Sequence, residues 1–266
     1  MYAIFKKTLA DFRWTFVWFA AISVGYVGLI SSMYPTVRAN AEQFVELMEN
    51  YPKGIMEAFG VTAQSLTTYT GFLSVEYFSF MFVIILGIFT FMLGTSLVAG
   101  EVDRGTSEFT FTLPVKRYRV LAGKILASYA LILGVIILVL AAVYVGGQLV
   151  DAAVSVRGLG VLLVALAAVA FLLLSVSAFF SSIFSRKGLA NGASGGFLGV
   201  SYALMILNGM TDKAAGAYVF SFFKYYGSPE RLLTSADMSL SSPLTLVLVG
   251  ACIFVIGSLL TEERDL

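Results

Sequence analysis

Histidine is absent from the 266 residues, and cysteine occurs once, at Cys252. The first absence removes imidazole general bases and His-ligated zinc, copper or haem. The second removes intrachain disulfides and thiolate metal clusters. Charge is scarce as well. Asp, Glu, Lys and Arg make up 12% of the chain, about half the roughly 25% of an ordinary soluble domain. So few charges could not cover a globular surface, which excludes a soluble enzyme, a disordered tail and a secreted disulfide scaffold. The net charge of +1 offers no basic excess for nucleic acid. The pattern G-x-x-x-x-G-K-[ST] does not occur, so the chain has no P-loop to cradle nucleotide phosphates.

What is present is apolar: 59% hydrophobic residues and a mean hydropathy of +0.90. A bilayer core about 30 Å thick takes about 20 apolar residues in a helix, because every backbone group must be satisfied within the segment. Six stretches meet this: Trp14–Tyr34, Tyr77–Ala99, Ile125–Gly147, Leu159–Ile183, Leu189–Met210 and Pro243–Leu260. None contains Lys, Arg, Asp or Glu, which disfavours a proton pump or an ion-coupled carrier built on buried carboxylates. The first stretch follows Lys6 and Lys7 as a signal peptide would. It is longer than a typical h-region and no small-x-small cleavage site closes it, so it reads as a retained span.

The expected architecture is therefore an all-α polytopic membrane protein of six spans forming one transmembrane domain over residues 1–266. Lys and Arg orient it. One set of connections holds 11 of them in roughly 49 residues, and the opposite set holds 6 in roughly 85. The positive-inside rule then places both termini in the cytoplasm of a cell that carries this multi-pass chain in its plasma membrane.

The connections carry further patterns. Phe5, Leu9, Phe12 and Phe16 recur at helical spacing beside Lys6, Lys7, Asp11 and Arg13, as in an amphipathic helix at the interface; a plain extension of the first span fits too. In the outer loop, Val37, Ala41, Phe44, Met48 and Tyr51 form a periodic stripe stopped by Pro52, for substrate sensing or for packing. The segment Ala217–Gly227 is too short to span and too aromatic for a free loop, so it reads as an aromatic belt or as a gate over an exit path. Gly192, Gly195, Gly196 and Gly199 in the fifth span allow close helix approach, with the partner unspecified. Phe78, Phe82 and Phe89 line one face of the second span, for a lipophilic substrate or for lipid and core packing.

The most polar stretch, Gly100–Lys124, joins the second and third spans. A short helix from about Val98 to Thr110 would present Glu101, Arg104 and Glu108 on neighbouring faces, and Pro114 would end it. Its run Ala99-Gly100-Glu101, Arg104-Gly105-Thr106, Leu113-Pro114-Val115, Arg117 and Gly123-Lys124 resembles the signature of permease subunits of ABC-2-type transporters. Residues 220–226, Phe-Ser-Phe-Phe-Lys-Tyr-Tyr, followed by Pro229, resemble that family's aromatic Ser-Pro-Phe-x-Tyr stretch, with Phe222 where proline is usual.

The resemblance covers nearly the whole chain and implies the membrane half of an ABC exporter. Such a chain is not an enzyme. It works as a dimer with the same or a similar permease and with two ATPase subunits, and ATP and Mg bind the ATPase while this chain carries no cofactor. The loop after the second span would be a coupling helix on the ATPase, involving Glu101, Arg104, Gly105, Thr106, Leu113, Pro114, Arg117 and Lys124. The second and fifth spans would lie near the dimer interface and the translocation path, so that Gly192, Gly195, Gly196 and Gly199 pack the dimer. A lipophilic or amphipathic substrate would cross by alternating access. The competing reading is a membrane scaffold or sensor whose cytoplasmic loop recruits a partner without transport.

The orientation is testable. With Cys252→Ser as background, single cysteines at Glu46 and Ser107 are expected to react with an impermeant thiol reagent from opposite sides of the membrane. Labelling of both from one side rejects the six-span arrangement.

Overall fold

A computed structural model describes residues 2–40, 43, 65, 67–105, 117–211 and 215–263. Among them every regular element is helical. The short α1 (Tyr2–Asp11) precedes α2 (Arg13–Ala39). After the outer connection come α3 (Tyr69–Leu73), a π-helical turn (Ser74–Phe78), α4 (Met81–Gly94) and α5 (Ala99–Asp103). The long helices α6 (Arg117–Leu149), α7 (Val156–Ile183) and α8 (Lys187–Met210) follow. Three short pieces, α9 (Ala215–Tyr218), α10 (Phe223–Tyr226) and α11 (Pro229–Thr234), lead to α12 (Ser241–Glu263).

Five of these helices are individually long and apolar enough to cross a membrane. The sixth candidate is the bent pair Tyr69–Phe78 and Met81–Gly94, whose axes differ by 44°. The continuous second span expected over Tyr77–Ala99 is thus corrected: the helix begins eight residues earlier, at Tyr69, and is interrupted at Ser79–Phe80. The cause is local. Ser79 N donates to Ser74 O five residues back, at 2.8 Å, and the Ser79 hydroxyl donates to the same carbonyl at 2.8 Å. That extra residue per turn is a π-bulge, and Phe80 (φ −136°, ψ −67°) leaves the helical region altogether. The first span also overruns its expected end at Tyr34, because Pro35 is carried inside a helix that continues to Ala39.

The amphipathic start behaves as its spacing predicts. Phe5, Leu9 and Phe12 are half-buried and Thr8 is buried, whereas Lys6, Lys7, Asp11 and Arg13 are exposed. The apolar side of α1 meets α6 of the chain itself. Of the stripe predicted for the outer loop, Ala41, Phe44, Met48 and Tyr51 lie outside the described residues.

The bundle is built around α7, which touches α4, α6, α8, α11 and α12. Helix association in lipid gains nothing from expelling water, so close backbone approach supplies the contact. A Cβ added at Gly257 of α12 would stand 3.1 Å from Phe179 Cα, and one at Gly250 would stand 3.0 Å from the Phe171 ring. Near the start of α7, a Cβ at Gly158 would fall 2.1 Å from Leu233 O, so only glycine lets α11 rest there. The bundle has two ends of different character. The starts of α2, α6 and α8 and the ends of α7 and α12 share a charged end with α1 and α5, while α3, α10 and α11 gather at an aromatic end.

Gly158 and Gly160 provide a matched test. Gly158→Ala is expected to lose about 1–3 kcal/mol through overpacking against the Leu233 carbonyl. Gly160→Ala meets nothing within 4 Å and should be neutral or stabilising by up to about 1 kcal/mol. Thermal unfolding of both variants in nanodiscs checks the difference.

Candidate functional site

At the charged end the second span does not stop cleanly. After Gly94 the chain turns through Thr95–Val98 and re-enters a helix as α5, so the N–H groups that open α5 need acceptors. No local Ser, Thr or Asp caps it: residue 98 is valine, outside the helical region at φ −126°. The cap comes from α7. Ser181 Oγ accepts from Val98 N at 3.1 Å and Ala99 N at 2.9 Å, and its own proton goes to Thr95 O at 3.0 Å. One buried serine thereby uses its full hydrogen-bonding capacity to fasten the turn.

The same turn is held from the other side by α6. The Lys124 ammonium donates to Leu97 O at 3.1 Å and forms an ion pair with the Glu101 carboxylate. These two side chains are only 10% and 12% exposed. Thr95 adds a bond to Asn191 Oδ1 of α8 at 2.8 Å, and Thr261 of α12 donates to Ser182 Oγ of α7 at 2.9 Å. Three long helices, α6, α7 and α8, thus hold α5 and the turn before it through polar groups, and α12 is tied to α7 beside them.

The far side of α5 is closed by its own residues. Arg104 Nε donates to Gly100 O at 2.8 Å. Gly105 adopts φ +67°, a left-handed conformation that a side chain disfavours, and its N–H returns to Val102 O at 3.0 Å. Within the described residues the helix ends at Asp103, and residues 106–110 of the expected Val98–Thr110 helix, Glu108 among them, lie outside them.

The residues expected to couple to a partner separate into groups. Glu101 and Lys124, both placed by the resemblance in the coupling segment, are brought together inside the chain. The reason is that a carboxylate and an ammonium beside the hydrocarbon region are better neutralised by each other than left alone. Arg104 and Gly105 are exposed, next to exposed Asp103. Arg117 opens α6. Thr106, Leu113 and Pro114 lie outside the described residues.

The fifth-span glycines are a different case. A Cβ added to Gly192, Gly195, Gly196 or Gly199 would meet nothing within 4 Å. The opposite face of α8, with Ala190, Ser194, Leu198 and Tyr202, is buried. No part of the described chain occupies the glycine face.

Phe78, Phe82 and Phe89, the stripe read as meeting a lipophilic substrate or as packing against lipid and core, are each 0% exposed. Phe82 packs 5.1 Å from the Tyr77 ring, and Phe89 lies 4.9 Å from Phe19 of the first span. They belong to the buried core: Phe19 of the first span covers Phe89, and Phe78 and Phe82 pack on each other and on Tyr77.

Ser181 and Asn191 were not singled out by sequence. The only available signal was four serines, Ser175, Ser177, Ser181 and Ser182, on an otherwise apolar helix.

With the geometry established, comparison with known proteins adds one finding. The family model described as ABC-2 family transporter protein matches residues 2–260. No curated protein and no solved structure matches the chain.

The buried pair yields a prediction. Removing one partner of a buried ion pair costs about 3–5 kcal/mol, whereas replacing both by apolar groups is often close to neutral. Glu101→Ala and Lys124→Ala should each lower the unfolding midpoint markedly. Glu101→Leu combined with Lys124→Met should recover most of it, as followed by thermal unfolding in nanodiscs.

Proposed function

We propose, from the premise that this chain belongs to the ABC-2 transporter family, that it is the permease subunit of an ATP-driven exporter. The chain is a multi-pass membrane protein, and such permeases are membrane subunits of ABC transporters without catalysis of their own. The finer reading is that two copies, or this chain and a similar one, work with two copies of a separate ATPase that binds ATP and Mg. The charged end would face the cytoplasm of the cell.

The observation that carries the reading is the clamped helix α5. A segment that transmits motion from an ATPase must be stiff relative to the spans it moves. Ser181, Lys124 and Asn191 tie α5 and the turn before it to α7, α6 and α8, while Asp103, Arg104 and Gly105 remain outward. A push on that outward surface would pass directly into three spans. Alternating access then follows as a tilt of whole helices around a path lined by apolar groups, which suits a lipophilic or amphipathic substrate.

The open glycine face of α8 supports a second permease chain. Its small residues would let two backbones approach closely, which is how helices associate when the surrounding medium is as apolar as they are.

The test is purification of the complex from its native membrane. An ATPase containing a P-loop is expected to accompany the permease, two copies of each, and the reconstituted complex should hydrolyse ATP and export together. Gly192→Leu and Gly196→Leu should dissociate the permease pair while each chain still inserts. A single permease copy in the complex rejects the glycine interface. The absence of any ATPase rejects the exporter in favour of a scaffold.

A further inference from the structure

The interruption of the second span at Ser79–Phe80 exposes carbonyls within an apolar region, and the chain meets them in an unusual way. Tyr202 of α8 donates its hydroxyl to Ser79 O at 3.2 Å and to Phe80 O at 3.1 Å. Tyr226 of α10 donates to Phe78 O at 3.2 Å. Three consecutive carbonyls at the break thus receive tyrosine hydroxyls from residues more than 120 positions away, Phe80 O in addition to the Ile84 N–H at 3.2 Å. Both tyrosines are nearly buried, at 8% and 2% exposure.

The donors belong to one body. Phe223 packs 4.3 Å from the Tyr202 ring and 4.3 Å from Phe222, and the Ser221 hydroxyl donates to Ser201 O at 2.8 Å. The aromatic segment and α8 are therefore joined to each other. The chain preceding the break belongs to a different body. Tyr77 donates to Ser23 O of α2 at 3.1 Å, Tyr34 of α2 donates to Thr67 O at 3.0 Å, and Tyr69 donates to Val143 O of α6 at 3.3 Å. The break at Ser79–Phe80 is where these two bodies meet.

We propose that the hydroxyls of Tyr202 and Tyr226 form a latch across the broken second span, holding α8 and the aromatic segment against that span, whose first half is fastened to α2 and α6, and that transport releases it. The inference rests on the permease reading and names the joint at the aromatic end that the cycle opens. A side-chain hydroxyl on a carbonyl suits that role. It satisfies the backbone at the break while it is closed, and it can be exchanged for water on opening without unwinding a helix. Tyr202 and Tyr226 are positioning residues, acting through the second span.

The latch is tested by distance measurement between nitroxide labels at Leu149→Cys and Met210→Cys, introduced with Cys252→Ser into the permease and its ATPase in nanodiscs. Both positions are exposed, at 80% and 61%, and end α6 and α8 respectively. With one labelled permease chain per complex, the nucleotide-free state should give one distance, and ATP trapping should add a longer one. Tyr202→Phe and Tyr226→Phe keep the rings and remove only the hydroxyls. Each should raise the long-distance population of the nucleotide-free state about 3- to 5-fold, and the pair about 10- to 30-fold. Tyr129→Phe removes another buried hydroxyl, which donates to Ala167 O at 3.0 Å between α6 and α7, and should leave the population unchanged. An unchanged distribution in the double variant, or an equal rise in Tyr129→Phe, overturns the latch. Opening in the double variant without an ATP-dependent distance change in an exporting complex removes the latch from the cycle and also overturns the proposal. The nucleotide-free comparison needs no hydrolysis, so loss of ATP-driven export in every sample, wild type included, marks a failure of the permease reading and not of the latch.

Discussion

Every backbone polar group inside a bilayer must find a partner within the protein, and the second span is where this chain meets that demand with side chains. A continuous helix would satisfy it internally. Here the helix is interrupted twice, at Ser79–Phe80 and at Thr95–Val98. At the first interruption, carbonyls accept from Tyr202 and Tyr226. At the second, N–H groups donate to Ser181, and Leu97 O accepts from Lys124. The arrangement of the other helices follows, since α6, α7, α8 and α10 must each stand where they can reach one of these breaks.

The two interruptions are not alike. The one at the charged end is secured by a serine with all its bonds made, an ammonium and a carboxylate, all little exposed. Such groups are costly to separate, because each would be left without a partner in a low-dielectric setting. The one at the aromatic end is secured by neutral hydroxyls on carbonyls, which exchange partners at much smaller cost. The second span is therefore fastened firmly at one end and lightly at the other. On the permease reading, a displacement applied near α5 travels along a helix fixed to its neighbours and emerges where the fastening is weakest.

Glycine serves two purposes in the same bundle. Gly158, Gly250 and Gly257 allow helices of this chain to touch at backbone distance. Gly192, Gly195, Gly196 and Gly199 recur at three- and four-residue steps yet face away from the described chain. Sequence spacing reports that a close approach is permitted; it does not report which surface approaches.

Hydropathy and the absence of charge are properties of contiguous residues, so six apolar stretches, an amphipathic start and a charged connection after the second span were readable along the chain. The signature around Glu101, Arg104 and Gly105 was readable for the same reason, being local. Tertiary structure alone decided the partners. Lys124 finds Glu101 across 23 positions, Ser181 caps Val98 across 83, and Tyr226 reaches Phe78 across 148. It also decided that Phe89 belongs to the core, because the opposing aromatic residue, Phe19, comes from another span. The break at Ser79–Phe80 had no breaker residue to announce it, neither glycine nor proline. It persists because two tyrosines from distant elements satisfy the carbonyls there, and a partner supplied by folding leaves no trace in the local sequence.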